Sequence, residues 1–184
     1  MAFTEEENQI LLEIQSRALW LAVRMIDHAN QDRENLDGLK VGGHQASSAS
    51  MISIMTALYL HHLNPQDLVS VKPHASPVLH AIQYLLGNLD KKYLKELRQI
   101  GGLQSYPSRT KDPDRVDFST GSVGLGAAAP LFAAVTRRYV DAHFSPRPDT
   151  RFIALIGDAE LDEGNIWEAV ADPVSYTHLT LPTK

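Results

Sequence analysis

The stretch Arg151-Phe-Ile-Ala-Leu-Ile-Gly-Asp-Ala-Glu-Leu-Asp-Glu-Gly-Asn165 decides how the rest of the chain is read. Phe152 to Ile156 are apolar at every position and stop at Gly157-Asp158, where an acidic loop begins. A strand without polar alternation is one covered on both faces, as in a parallel sheet. Open α/β sheets bind ligands just past the carboxyl ends of such strands. Asp158 is therefore expected to hold a metal ion that clamps a phosphorylated group. A magnesium ion there would take phosphate oxygens and water as its other ligands, in octahedral geometry at ~2.0–2.1 Å. The run Asp158-x-Glu160-x-Asp162 is not an EF-hand. That motif follows a helix and needs Gly and Glu at its sixth and twelfth positions, where Glu163 and Ala169 stand. Asp162 suits instead the start of the next helix, where a carboxylate meets the positive end of the dipole.

Upstream, Thr4 and Glu7 have capping-box spacing. Ile10, Ile14, Ala18, Leu21 and Met25 then mark one face of a long helix, expected to end near 35–38. Val41-Gly-Gly-His44 leads into a second helix with Met51, Ile54, Met55 and Leu58 inward, stopped by Asn64-Pro65. Asp67 to Lys72 reads as a short strand. Pro77 fits the first turn of a helix burying Val78, Ile82, Leu85 and Leu86 and closed by Gly87. Asp90 to Ile100 is expected to be a charged, solvated helix, and Gly101 to Thr120 a long loop of the kind that often carries function. The Gly121–Gly126 turn opens a small-residue helix through Ala133, Val135 and Tyr139. Helices alternating with apolar strands make an α/β chain with a parallel sheet.

Composition bounds the function classes. The chain has 184 residues, enough for one domain with a core, and 43% hydrophobic content is ordinary for a globular protein. Lys and Arg number 17 against 22 Asp and Glu, a net charge of −5 that argues against nucleic acid as main partner. Without cysteine there is neither a disulfide framework nor thiolate chemistry. The acidic start Met1-Ala-Phe-Thr-Glu-Glu-Glu7 lacks the features of a signal peptide, and no apolar run approaches the ~18 residues of a membrane span. A cytoplasmic protein is expected.

Two of the 8 histidines, His44 and His74, sit in loops just before helices, where a phosphate or substrate oxygen could lie. His61-His62 suit a helix C-terminus, and His28, His80 and His143 read as structural or exposed. Gly124-Leu-Gly-Ala-Ala-Ala129 fits G-x-G-x-x-A in form. It lacks the preceding strand and the acid ~20 residues on that a dinucleotide site needs. Close helix packing and a cofactor-cradling turn both remain open for these glycines.

Five segments occur in an order and spacing that resembles the transketolase-like thiamine diphosphate enzymes, above all the homodimeric type of pyruvate dehydrogenase first component. They are Gly42-Gly-His-Gln-Ala-Ser-Ser48, Lys72-Pro-His-Ala-Ser-Pro77, Ser105-Tyr-Pro-Ser108, Ser119-Thr-Gly-Ser-Val-Gly-Leu-Gly126 and Gly157-Asp-Ala-Glu-Leu-Asp-Glu-Gly164. The resemblance implies an α/β fold, an incomplete parallel-sheet thiamine-diphosphate-binding domain with a long N-terminal helix. It implies that Asp158 is a Mg²⁺ ligand, with Ala159 replacing the last glycine of the family's Gly-Asp-Gly. It places His44 and His74 at the reaction centre against the diphosphate, and Tyr106 on the substrate side. Gly121, Ser122, Val123 and Gly124 match the turn against the cofactor, Gly157 opens the metal motif, and Glu163 matches an acid at the dimer interface. The implied activity decarboxylates pyruvate or another small 2-oxo acid and passes an acetyl unit to a lipoyl-bearing acyltransferase partner, in a glycolysis-linked homodimer. A transketolase-type sugar transferase is the rival, disfavoured because the Tyr106 loop lacks a histidine. A non-catalytic phosphate-binding module is the rival from another class.

The resemblance spans Met1 to about Asp172. Residues 173–184 lose all helical period and are expected to be a non-native tail. The family's second metal ligand, an Asn for which Asn165 is too close, and its aminopyrimidine-binding domain are not matched. The chain is thus expected to be an N-terminal part of a longer enzyme, inactive alone and poorly soluble.

Overall fold

The computed structural model describes residues 4–34 and 36–172, so the expected tail lies outside the described residues. The chain divides into two compact units, Met1–Leu63 with His74–Arg115, and Asn64–Pro73 with Val116–Lys184.

The first unit is helical. Helix α1 (Glu5–Asp27) starts with the expected capping box: Glu7 N–H donates to Thr4 Oγ1 at 3.2 Å and Thr4 N–H to Glu7 Oε2 at 2.9 Å. Its buried face is Ala18, Ala22, Met25 and Ile26. The helix loosens into a π-type turn over His28–Asp32, ending earlier than its sequence period suggested. Asn30 causes the stop by turning its amide onto Ile26 O (2.7 Å) and Gly42 O (3.0 Å), and Arg33 leaves in an extended conformation. Two short helices follow, α2 (Gln45–Ala49) and α3 (Ile52–Ala57), then a π-type turn Leu58–His62. Met51, Met55 and Leu58 are buried as expected, but Ile54 is 53% exposed. The break between α2 and α3 shifts the helix phase and turns Ile54 outward.

Helix α4 (Ser76–Leu85) carries Pro77 in its first turn and is buried from Ser76 through Gln83. Leu85 and Leu86, expected inside, lie at the surface because Gly87 (φ +81) already turns the chain away. The charged helix expected over 90–100 shrinks to one turn, Lys91–Lys95, capped by Asp90 accepting from Lys92 N–H. Leu97 and Leu103 explain why: both are buried, and they pair as a parallel bridge that a continuous helix would forbid. They join Met25, Ile26, Ala29 and Leu89 in the core, with Val41, Tyr84, Tyr93 and Leu94 packed on it.

The second unit holds the sheet. Strand β1 (Leu68–Ser70) pairs in parallel with β2 (Phe152–Ala154), Leu68 opposite Phe152 and Ser70 opposite Ala154. Helix α5 (Leu125–His143) lies against both strands, and α6 (Gly164–Ala171) packs on α5 through Ala128, Leu131 and Ala169. Asp67, nearly fully buried, ties the strand starts together. It accepts from Arg151 N–H (3.0 Å), Arg151 Nε (3.0 Å) and Asn64 N–H (2.8 Å). The strand over 152–156 is real but shorter than expected, and it is not closed on both faces. Phe152, Ile153 and Ala154 are half-buried and Ile156 is 38% exposed, since the sheet has two strands among the described residues. Among the described residues no helix is long and apolar enough to cross a membrane.

Candidate functional site

In the first unit the sequence-predicted histidines meet. His44 occupies the N-cap position of α2 and His74 the short helical turn Pro73–Ala75 before α4. Their ring centroids are 4.7 Å apart, edge to face at 78°. Tyr106 stands on the other side of His74 at 5.5 Å and 88°. Three side chains separated by up to 62 positions in sequence therefore form one aromatic and polar cluster. Gly43, Ser76, Arg98 and Ser105 line the same narrow cleft as His44 and His74.

The loop before His44 explains its two glycines. Gly42 (φ +91) and Gly43 (φ +113) both have left-handed backbones. A methyl on Gly43 would press on Ile26, and one on Gly42 would strike the Arg98 guanidinium. Asn30 grips Gly42 from both sides, its Oδ1 accepting from Gly42 N–H at 2.9 Å. Arg98 itself has φ 58 and donates from Nη1 to Val41 O at 3.0 Å. Sequence reasoning missed Asn30 and Arg98 altogether. The usable signal was the Gly42-Gly43 pair, which demands neighbours close enough to exclude a side chain.

The Tyr106 segment is held by a third missed residue. Asp112 accepts from Gln104 N–H and Ser108 N–H, both at 2.7 Å, so one carboxylate brackets Ser105-Tyr-Pro107 from both ends. Burial pushes the Asp112 carboxyl above the usual carboxylate range, while His80 and the two amides pull it down.

In the second unit the glycine turn and the acidic loop carry the remaining candidates. Gly121, Ser122 and Val123 precede α5, and Gly124 has φ +79. A Cβ on Gly124 would land on Asn165 Oδ1, while Asn165 Nδ2 donates to Val123 O at 2.8 Å. Asn165, in the first turn of α6, thus fastens the 121–124 turn to the helix that follows the acidic loop. Gly157 is buried and Asp158 exposed just past β2. The loop closes as a helical turn, Ala159–Asp162, because Glu160 folds back to accept Gly157 N–H at 2.9 Å. Burial raises the Glu160 carboxyl, opposed by that amide and by Lys72. Asp162 is not the helix cap. It is exposed inside this turn, and the half-buried Glu163 takes the N-cap position of α6 without a side-chain cap bond.

A family profile for 1-deoxy-D-xylulose-5-phosphate synthase, N-terminal part, matches residues 34–180. Human transketolase is 34% identical over 140 residues, 70% of this chain and 21% of the relative. Mouse transketolase-like protein 2 is 34% identical over 145 residues, 73% of this chain and 22% of the relative. The pyruvate dehydrogenase E1 component of Cupriavidus necator is 32% identical over 160 residues, 82% of this chain and 17% of the relative. The chain belongs to the thiamine-diphosphate-dependent, transketolase-like family. It spans about a fifth of the length of these relatives.

The residues present suit the family's cofactor. An exposed carboxylate at the carboxyl end of a parallel strand, after a buried glycine beside the Lys72 amine, suits a cation and phosphate. The 121–124 turn is open at Gly121, where an added Cβ would meet no atom closer than 4.0 Å. At Gly124 it is locked, so its shape is fixed before any ligand arrives.

Proposed function

We propose that this chain is part of a pyruvate dehydrogenase first component, a homodimeric cytoplasmic enzyme that decarboxylates a small 2-oxo acid at a step fed by glycolysis. It would hand the acetyl unit to a lipoyl-bearing acyltransferase partner. The observation that carries the reading is the His44–His74–Tyr106 cluster, with a tyrosine rather than a third imidazole beside His74. A phenol can donate to the oxygens of a keto acid, and imidazoles can both accept and donate a proton. Thiamine diphosphate, when bound, supplies the electron sink for decarboxylation.

In this reading Asp158 holds Mg²⁺, and the turn of Gly121, Ser122 and Val123 rests against the cofactor with Gly157. Glu163 lies at the subunit interface. Residues 1–172 are the N-terminal part of the diphosphate-binding domain. The relatives include both transketolases and pyruvate dehydrogenase components, so the test must separate those activities. Full-length protein loaded with Mg²⁺ and thiamine diphosphate is expected to release CO₂ from pyruvate and acetylate a lipoyl acceptor. Turnover of a ketose phosphate instead would overturn the assignment. Asp158→Ala is expected to abolish Mg²⁺-dependent cofactor binding, measured by calorimetry. Residues 1–184 alone are expected to release no CO₂.

A further inference from the structure

We propose that His80 Nε2 and Asp112, with Asp114 orienting the imidazole ring, form a buried site for a first-row divalent cation of the Zn²⁺ or Mn²⁺ class. Such an ion would tie the segment carrying Tyr106 to helix α4. All three side chains belong to the first unit and are fully buried, 0% exposed for His80 and both carboxylates. His80 Nδ1 lies 2.8 Å from Asp114 Oδ2, which fixes the ring's orientation and leaves Nε2 directed at Asp112. Nε2 is 3.9 Å from Asp112 Oδ1 and has no hydrogen-bond partner; Asp114 Oδ1 has none either. One ligand atom from each residue lies within 4.8 Å of the others.

Three physical arguments point to a cation. Buried polar atoms are almost always satisfied, and here two unsatisfied ones sit in one cluster. Two carboxylates closed off from solvent lie beside one imidazole, and buried groups of this kind are tolerated when they are paired or bound to metal. The spacing also fits. Nitrogen and oxygen ligands each ~2.0–2.1 Å from one ion can stand up to ~4.2 Å apart, so the 3.9 Å gap can be bridged without rebuilding the backbone. A ligating histidine whose other ring nitrogen donates to a carboxylate is a recurrent metal-site arrangement, and Asp114 supplies that carboxylate. Imidazole with carboxylates favours Zn²⁺ or Mn²⁺ over Ca²⁺. Asp112 already brackets Tyr106 through Gln104 and Ser108, so an ion on its carboxylate would stiffen that loop against α4.

The site uses neither Asp158 nor the cofactor turn, and its test is independent of the pyruvate reading. Tag-free full-length protein, stripped by chelator and resaturated with Mg²⁺ and thiamine diphosphate, would be titrated with Zn²⁺ alone, and separately with Co²⁺ as a visible-spectrum probe. One equivalent of Zn²⁺ retained through dialysis, with a Co²⁺ ligand-field band, is expected in the native protein and in Asp158→Ala. His80→Gln should lose the equivalent, and Asp114→Asn should weaken it about 10–100-fold through the ring's lost orientation. Circular dichroism on both variants checks that the fold survives. No retained equivalent, equal retention in folded His80→Gln, or nitrogen NMR showing His80 protonated on both nitrogens in metal-treated protein would overturn the proposal.

Discussion

The two units of this chain handle their apolar residues differently. In the first, Met55, Leu79, Ile82, Leu97 and Leu103 are essentially closed off from solvent around a helical core. In the second, the core cluster of α5 and α6 is small: Ala128, Leu131 and Ala169. Leu125, Phe132, Tyr139, Ile156 and Trp167 remain 38–59% exposed. The first unit places its site residues on a packed scaffold. The second holds its turn and acidic loop with polar anchors, Asn165 on Val123 and Glu160 on Gly157. Polar anchors fix the site loops in both units, Asn30 on Gly42 and Asp112 on Gln104 and Ser108 in the first, so the contrast lies in the apolar packing beneath them.

Core truncation should separate the units most clearly. Ile82→Ala, at a fully buried position, is expected to destabilise by about 3–4 kcal/mol. Leu131→Ala, 8% exposed and flanked by alanines, should cost about half as much because less contact is lost. Urea unfolding of the full-length protein measures both, and equal costs would break the contrast.

Asp67→Ala should come next, at about 2 kcal/mol near neutral pH, since it leaves several donors without their acceptor. The Arg151 guanidinium hydrogen-bonded to Asp67 lowers its pKa to about 2, against ~3.9 for an unfolded aspartate. A lowered folded pKa means the stabilisation is fully present above ~4 and is lost as pH falls toward 2. The native and Asp67→Ala proteins should therefore converge in stability across that window. A difference that persists at pH 2 would show that the site holds through packing rather than charge.

Much of this architecture was legible in sequence. The Thr4 box, the Pro77 helix start, the parallel strand leading to the Gly157-Asp158 loop and the meeting of His44 with His74 all follow from local rules and motif order. What was not legible depends on long-range demands. The helix expected over 90–100 fails because Leu97 and Leu103 are both taken into the core. Asp162 loses the cap position because Glu160 turns back on Gly157, a contact that no spacing rule distinguishes among four acids. Asn30, Arg98 and Asp112 were invisible because each acts through backbone groups brought near only by folding.

Gly124→Ala probes the polar anchoring of the second unit. The methyl must adopt a left-handed backbone and displace Asn165 Oδ1, for a cost of about 1–2 kcal/mol from the backbone alone. Asn165→Ala removes the hydrogen bond to Val123 without that strain and should cost less. In the thiamine reading both variants should raise the Kd for thiamine diphosphate, measured by tryptophan fluorescence, more than they lower thermal stability. An unchanged Kd would separate the 121–124 turn from the cofactor.

The smallest effect should come from the exposed start of α1. Thr4→Ala removes the acceptor of Glu7 N–H, costing about 1 kcal/mol. Thr4→Ser keeps the acceptor and should change stability by a few tenths at most, because the helix start is exposed and only the hydroxyl makes the bond. Equal losses in the two variants would mean that the threonine methyl, not the cap, holds the first turn. A loss confined to Thr4→Ala would show that even the well-packed first unit relies on polar anchoring where its helix meets water.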